Sequence, residues 1–275
     1  MYCTDFIFDN ERLSDHGYMI CDFGAGDSTW SGGDVTFTSM QSPGTNTFTH
    51  YYSKFDTPLS FNFSIMKNPC GGASQKDLYF TQDEQSYVMR WLQRLDGYHW
   101  FAFDQEGWED IWFRVQMNLQ SHYNGGIVIG YDVTCTADSP YGYSQLHTKD
   151  IVLSSSANSP AAGSDSITIK NYSDIPGYIY PRLTITPENT GTIKLLSGCE
   201  GYKKITTIEN APAGNTIILD GNNDEITGLH NMNDFNFIFP VMANGYRDID
   251  TTFVNIGDMD VQLKIQYRFI RRVTV

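Results

Sequence analysis

The sequence predicts a mainly β protein, with one helix in an α+β N-terminal part and a β-sandwich or jelly roll in the C-terminal part. Three observations support this prediction. The 275 residues include 24 Gly, 17 Tyr and 17 Phe, a mix that favours pleated strands and tight turns over helices. Apolar and polar residues alternate with period 2 along many segments. One segment alone stands out with a clear helical period.

Alternation is clearest in residues 59–65, 111–118 and 261–269. Each segment is expected to form a half-buried strand, with one face on a core and the other on water. A second chain could also cover such a polar face, and periodicity does not distinguish the two cases.

The predicted helix begins at a capping box, Thr81-Gln-Asp-Glu84, in which each end residue can bond the backbone amide of the other. Gly97 is well placed to end the helix in a left-handed conformation. Apolar residues at helical spacing predict a face that packs on a sheet: Tyr87, Val88, Trp91, Leu92 and Leu95.

The composition predicts two domains: an N-terminal domain over 1–148, a linker over 149–165 and a C-terminal β-sandwich over 166–275. Ser, Ala, Gly and Pro crowd residues 154–163, where alternation fades. Short strand-like runs separated by turn residues follow, which is typical of a sandwich. They are expected at 166–170, 180–186, 192–196, 203–208, 216–220, 225–229, 235–241, 251–256 and 259–269.

The formal net charge of −14 is uneven: residues 1–148 hold 18 acidic and 7 basic side chains, net −11. An acidic surface repels phosphate, so no specific nucleic-acid binding is expected. Arg268, Arg271 and Arg272 form a basic cluster near the C-terminus, which we interpret as a solvated strand end. No stretch approaches the roughly 18 apolar residues of a membrane span. With no signal peptide at the N-terminus either, we expect synthesis and folding in a cytoplasm.

Neither a disulfide framework nor a metal site is predicted. The five cysteines, at 3, 21, 70, 135 and 199, are widely spaced, and we expect them to be reduced. The six histidines, at 16, 50, 99, 122, 147 and 230, lack metal-ligand spacing. The segment from Asp220 to Asp224 starts like a calcium loop. Its sixth position is Glu225 and its twelfth is Asn231, so a hairpin turn is the better interpretation.

Carboxylates beside aromatic residues raise the alternative of a wall-degrading enzyme. Asp104, Glu106, Glu109 and Asp110 lie near Trp100, Trp108 and Trp112, and a glycosidase cleft uses such residues. A solvent-exposed loop between two strands has the same composition, and we favour that interpretation. No nucleophile elbow, phosphate loop or dinucleotide fingerprint occurs. We therefore predict a non-enzymatic protein with no catalytic, cofactor-binding or metal-binding residues and no cofactor.

Several segments, in order, resemble the distal tail proteins of siphophages. The opening Phe6-Ile-Phe8-Asp-Asn10 and the turn from Ser14 to Tyr18 are similar to the start of that family. Further similar segments are Trp91-Leu92, Trp100–Asp104, Pro140-Tyr-Gly-Tyr-Ser144, Asn171–Ile185, Ile217–Asp220 and Gln266-Tyr-Arg268. Two segments depart from the family pattern: Asn171-Tyr-Ser-Asp174, followed by an Ile-Pro-Gly insert, and Val241–Gly245.

The resemblance implies a structural virion protein at the phage tail tip, assembled in the host cytoplasm. Six copies would form a homohexameric ring, a baseplate hub that joins the tail tube to the host-adsorption apparatus. The N-terminal domain would close the ring and meet the tail tube protein. A galectin-like C-terminal β-sandwich would hold receptor-binding proteins, and a tail-tip protein would be a further partner.

One further alternative is a lectin-like, carbohydrate-binding module of a phage adsorption device. Sugars stack on aromatic side chains, and a galectin-like sandwich makes this alternative reasonable. All five Trp, however, lie before residue 113, so the predicted sandwich has no indole for stacking.

Overall fold

The computed structural model describes residues 4–23, 30–71, 75–155, 166–199, 202–244 and 250–273. The chain divides into two units, residues 1–143 with 273–275 and residues 144–272. The fold is mainly β, as predicted. Among the described residues there is one α-helix, α1 (Gln82–Leu92), together with short 3-10 turns at Ser14–His16, Pro69–Gly71, Gln75–Leu78 and Met232–Asp234. In this part of the chain no helix has the length and apolar character needed to cross a bilayer.

The first unit is built on an antiparallel sheet with the strand order β2-β1-β8-β9-β10-β7-β3, and β4 also pairs with β7. The amide of Ile20 in β3 donates to the carbonyl of Thr4, 3.0 Å away, so the sheet curls back towards β1. The strands are β1 (Phe6–Phe8), β2 (Glu11–Arg12), β3 (Tyr18–Cys21), β4 (Trp30–Ser31), β5 (Val35–Gln41), β6 (Phe48–Phe55), β7 (Ser60–Lys67), β8 (His99–Phe103), β9 (Phe113–Asn124), β10 (Ile127–Ala137) and β11 (Gly142–Tyr143).

Aromatic side chains fill the core of this unit. Phe6, Phe61, Phe101 and Phe113 are fully buried, and their rings meet at tilted angles, with centroids 5.2–5.5 Å apart. Tilted contacts at this spacing are favourable for aromatic rings. The alternation over 59–65 and 111–118 therefore reports the inward face of β7 and β9, as predicted.

Helix α1 confirms the predicted start and corrects the predicted end. Thr81 and Glu84 form the capping box, with both reciprocal hydrogen bonds present. Val88, Trp91 and Leu92 are buried against the sheet. The helix ends at Leu92 and Gln93 is its C-cap. The prediction that Leu95 belongs to the packing face was wrong, because its side chain lies beyond the helix and is 95% exposed.

The second unit contains two antiparallel sheets, with the strand orders β12-β22-β15-β18-β19 and β13-β21-β16-β17, and a separate β14–β20 pair. Inward-facing residues of both large sheets share one apolar core, among them Leu183, Ile265, Leu195 and Phe253. The strands are β12 (His147–Leu153), β13 (Ser166–Lys170), β14 (Gly177–Ile179), β15 (Arg182–Pro187), β16 (Gly191–Cys199), β17 (Tyr202–Ala211), β18 (Ile217–Asp220), β19 (Glu225–Thr227), β20 (Met242–Asn244), β21 (Asp250–Asn255), β22 (Val261–Tyr267) and β23 (Ile270–Arg271).

Two segments of this unit differ from their sequence interpretation. The segment predicted as a strand at 235–241 is irregular, with Phe237 in the left-handed region at φ 55°. The segment predicted as a linker at 149–165 begins inside β12, which pairs with β22 along its whole length. The buried side chain of Asn255 also donates to the carbonyl of Leu153, 3.1 Å away. Residues 156–165, where Ser, Ala and Gly are densest, lie outside the described residues.

Candidate functional site: an aromatic β-hairpin arm

The first unit carries a two-stranded hairpin over residues 35–55, here called the arm. Strands β5 and β6 pair antiparallel from Val35↔Phe55 to Gln41↔Phe48, with a bulge next to Thr38. Within the described residues these strands pair only with each other. Each strand of the arm therefore keeps a row of backbone groups that is not used in a sheet, which is the arrangement of an open sheet edge.

A well-formed turn closes the tip of the arm. Pro43 and Gly44 occupy its two central positions, and Gly44 has φ 85°. The amide of Thr45 donates to the carbonyl of Ser42 at 3.1 Å, and Gln41 Nε2 donates to the carbonyl of Thr45 at 2.7 Å. Pro followed by Gly at these positions is the sequence preference of a type II turn.

The root of the arm is fixed by the backbone and by one carboxylate. Gly32 has φ 90°, and a side chain there would collide with the carbonyl of Pro58. The carboxylate of Asp56 accepts a hydrogen bond from the hydroxyl of Thr36, and Lys54 Nζ lies 3.1 Å from its Oδ1 atom. The hydrogen bond from Thr36, followed by that from Lys54, lowers the pKa of Asp56.

The side chains of the arm are exposed on both faces. Phe37 and Phe48 are 70% and 68% exposed on one face, and Tyr52 and Met40 are 54% and 56% exposed on the other. None of the residues 35–55 is buried. The arm therefore contributes nothing to the core of its own unit, and a two-stranded hairpin without a core is marginally stable in water.

The arm also carries little charge, with Lys54 at its root as its one Asp, Glu, Lys or Arg residue. Residues 35–53 include no Asp, Glu, Lys or Arg, in a chain whose net charge is −14. A solvated surface is rich in such residues, whereas the centre of a protein interface is depleted of charge and enriched in Tyr, Phe and Met. Open edges, exposed aromatic rings and almost no charge are typical of surfaces that another polypeptide covers.

The sequence interpretation missed the arm. Its period-2 pattern is obscured because a bulge interrupts the pairing next to Thr38 and because both faces carry apolar side chains. Two signals were present: the Ser42-Pro-Gly-Thr45 turn between runs rich in β-branched and aromatic residues, and the absence of charge over 35–53.

The acidic loop considered as a catalytic site is organised as a turn that covers the core. Arg12 binds Asp104, and the ring of Trp108 packs 5.5 Å from that of Trp30 and 5.9 Å from that of Phe103. Backbone amides of Glu109 itself and of Gly107 lower the pKa of Glu109. A general acid requires the opposite shift, so Glu109 lacks the environment of that role.

The other polar candidates are held in local structure. Asp220 accepts hydrogen bonds from the Asn222 amide and from Asn223 Nδ2, both at 3.0 Å, as in a hairpin turn. Arg268 donates to the carbonyl of Ser144 at 2.7 Å, and Arg271 donates to that of Tyr172 at 3.2 Å. Across the described ranges no group of His, Cys, Asp and Glu is arranged to hold a metal ion. Cys21, Cys70 and Cys135 are free thiols.

Two β-rich units, one with an arm of exposed aromatic side chains typical of protein interfaces, are features expected of a protein that works in an assembly. Two family models match this sequence: a phage tail protein N-terminal domain over residues 1–139, and a phage tail C-terminal domain over residues 141–267. The chain therefore belongs to a family of phage tail proteins, and it is a structural component of the virion tail.

Comparison with solved structures agrees with this assignment. The crystal structure of the Dit (gp 19.1) protein of SPP1 aligns with a TM-score of 0.59 at 10% identity, covering 96% of this chain and 98% of that one. The chain thus has the fold of a Dit-like distal tail protein. A structure of infectious bursal disease virus, Gt strain, also aligns at 10% identity, over 96% of this chain and 57% of that one, with a TM-score of 0.18. That score is too low to carry meaning. The curated proteins include no significant sequence match.

Proposed function

We propose that this protein is the hub at the distal end of a phage tail, where six copies form a ring between the tail tube and the adsorption apparatus. The arm is the observation that carries this proposal. Its exposed aromatic rings and open edges need a partner, and a second copy of the chain is always present during assembly. The fold likeness adds support, since the SPP1 protein is described as a paradigm of a hub adsorption apparatus.

The geometry of the arm favours a ring over a closed dimer. The two faces of the arm carry different side chains, with Phe37 and Phe48 on one and Tyr52 and Met40 on the other. Such a hairpin fits a different surface on the neighbouring copy, and contacts of this head-to-tail kind generate rings when the rotation closes. In this proposal the first unit closes the ring and meets the tail tube protein.

The second unit, a galectin-like sandwich in this proposal, faces the receptor-binding and tail-tip proteins. The protein acts by positioning its partners, without catalysis and without a cofactor. Assembly takes place in the host cytoplasm before the tail is complete.

Light scattering and negative-stain electron microscopy test the ring. Six subunits of 31.1 kDa give a particle of about 187 kDa with a central hole. The double variant Phe37→Ser, Phe48→Ser is expected to remain folded, because neither ring is buried, and to stay monomeric. Tyr123→Ser is the matched control, since Tyr123 is 62% exposed on a hairpin of the same unit outside the arm. Only monomers at high concentration, in both low and high salt, would contradict the proposal.

A further inference from the structure

The arm carries one histidine, His50, on the face that also carries Phe37 and Phe48. The imidazole meets the ring of Phe37 edge-on, with the two ring centroids 5.9 Å apart. Phe48 lies two residues before His50 on β6, so its side chain points to the same side of the strand. All three side chains are exposed. The imidazole therefore lies between the two aromatic rings that the proposed subunit contact covers.

No charged side chain of the arm faces His50. Within the described residues β6 pairs with β5 alone, and β5 holds no titratable residue. Lys54 lies on the opposite face of the arm, where its Nζ atom is 3.1 Å from the carboxylate of Asp56. Tyr51 and Tyr52 are the remaining titratable residues of β6, and a phenol is uncharged at neutral pH. A proton on His50 would therefore add the first charge to an aromatic face.

The other three histidines of the first unit each lie beside a carboxylate. These pairs are His16 with Glu11 at 3.2 Å, His99 with Asp9 at 2.7 Å and His122 with Asp132 at 3.6 Å. An imidazolium in such a pair keeps an oppositely charged partner inside its own subunit. His50 has aromatic neighbours in that position, so burial of its protonated ring would place a charge among apolar side chains.

We infer that His50 makes the arm contact sensitive to pH: the arm binds the neighbouring copy with a neutral imidazole, and protonation of His50 weakens that contact. The centre of a protein interface is depleted of charge, because a charge buried without a partner costs far more than a neutral polar group. Histidine takes up its proton between pH 8 and pH 5. The inference rests on the proposed function, since it takes the arm to be covered by a second copy.

Light scattering of the full-length protein at pH 7.5 and pH 5.5, at one ionic strength, tests the inference. A contact that excludes one histidine proton weakens by about tenfold over this range, so at least about ten times more protein should be needed for assembly at pH 5.5. His50→Gln takes up no proton and should assemble equally at both pH values. His230→Gln is the matched control, because His230 is exposed in the second unit, and it should respond to pH as the wild type does.

Comparison of the variants at the same pH separates the effect of His50 from a general effect of acid on the subunit, which would act on all of them alike. Equal assembly of the wild type at both pH values, or an equal loss in His50→Gln, would overturn the inference and leave the proposed ring standing. Stronger assembly of the wild type at pH 5.5 would overturn it too, by showing that a carboxylate of the neighbouring copy binds His50. A wild type that is monomeric at pH 7.5 would contradict the proposed function itself, and the inference with it.

Discussion

Replacing Trp91 by Ala should destabilise the first unit strongly. Trp91 is 7% exposed, and its ring lies 4.2 Å from that of His16 and 6.3 Å from that of Phe6. Burying an indole of about 200 Å² stabilises a fold by about 5 kcal/mol. Among the described residues the indole N–H has no hydrogen-bond partner, which offsets about 1–2 kcal/mol. We therefore expect a loss of about 3–4 kcal/mol, and a fall of roughly 10 °C in the melting temperature.

Tryptophan fluorescence is the appropriate assay, because all five Trp lie in the first unit and four remain in the variant. Trp91→Phe is the first control. It keeps an aromatic ring and removes the unpartnered N–H, so it should cost less than half as much as Trp91→Ala. Leu95→Ala is the second control and should change nothing, since Leu95 is 95% exposed. A melting temperature of Trp91→Ala equal to that of Leu95→Ala would refute the reasoning.

Four further outcomes are expected. Burial opposes ionisation of Glu84, but the hydrogen bonds from Lys67 and Thr81 outweigh it and lower its pKa from 4.5. The stability that ionised Glu84 contributes to the fold is therefore present above pH 4.5 and is lost as the pH falls below that value. The melting temperature of Glu84→Gln should accordingly fall less in acid than that of the wild-type protein. Amide exchange should be fast across residues 36–54 in the free subunit and slow after assembly, because no arm residue is buried; equal protection in both states would contradict the role of the arm. Limited proteolysis should cut first within residues 154–163, where Ser, Ala and Gly are dense, and early cuts inside 180–270 would contradict this. A filter-binding assay at low salt should show no tight binding of double-stranded DNA, given the net charge of −14.

Sequence patterns predicted the elements whose residues serve the core of their own unit. The alternation in β7, β9 and β22 and the capping box at Thr81 follow local rules, and the structure confirms them. The failures arise where tertiary contacts override those rules. Side-chain hydrogen bonds to β17 impose a left-handed residue at Phe237, in a segment whose alternation predicts a strand. The arm escaped prediction because its apolar residues face outward on both sides, a pattern that a second chain explains and a single core does not.

The absence of internal packing in the arm has an evolutionary consequence. A core residue such as Phe61 is constrained by its own subunit, whereas Phe37 and Tyr52 contact nothing in the core of theirs. In the proposed ring, selection on these two side chains therefore acts through the neighbouring molecule. Related tail proteins should accept changes in the arm when the surface that receives it changes as well. Mixed rings from diverged relatives should then fail at this contact even when each subunit folds correctly.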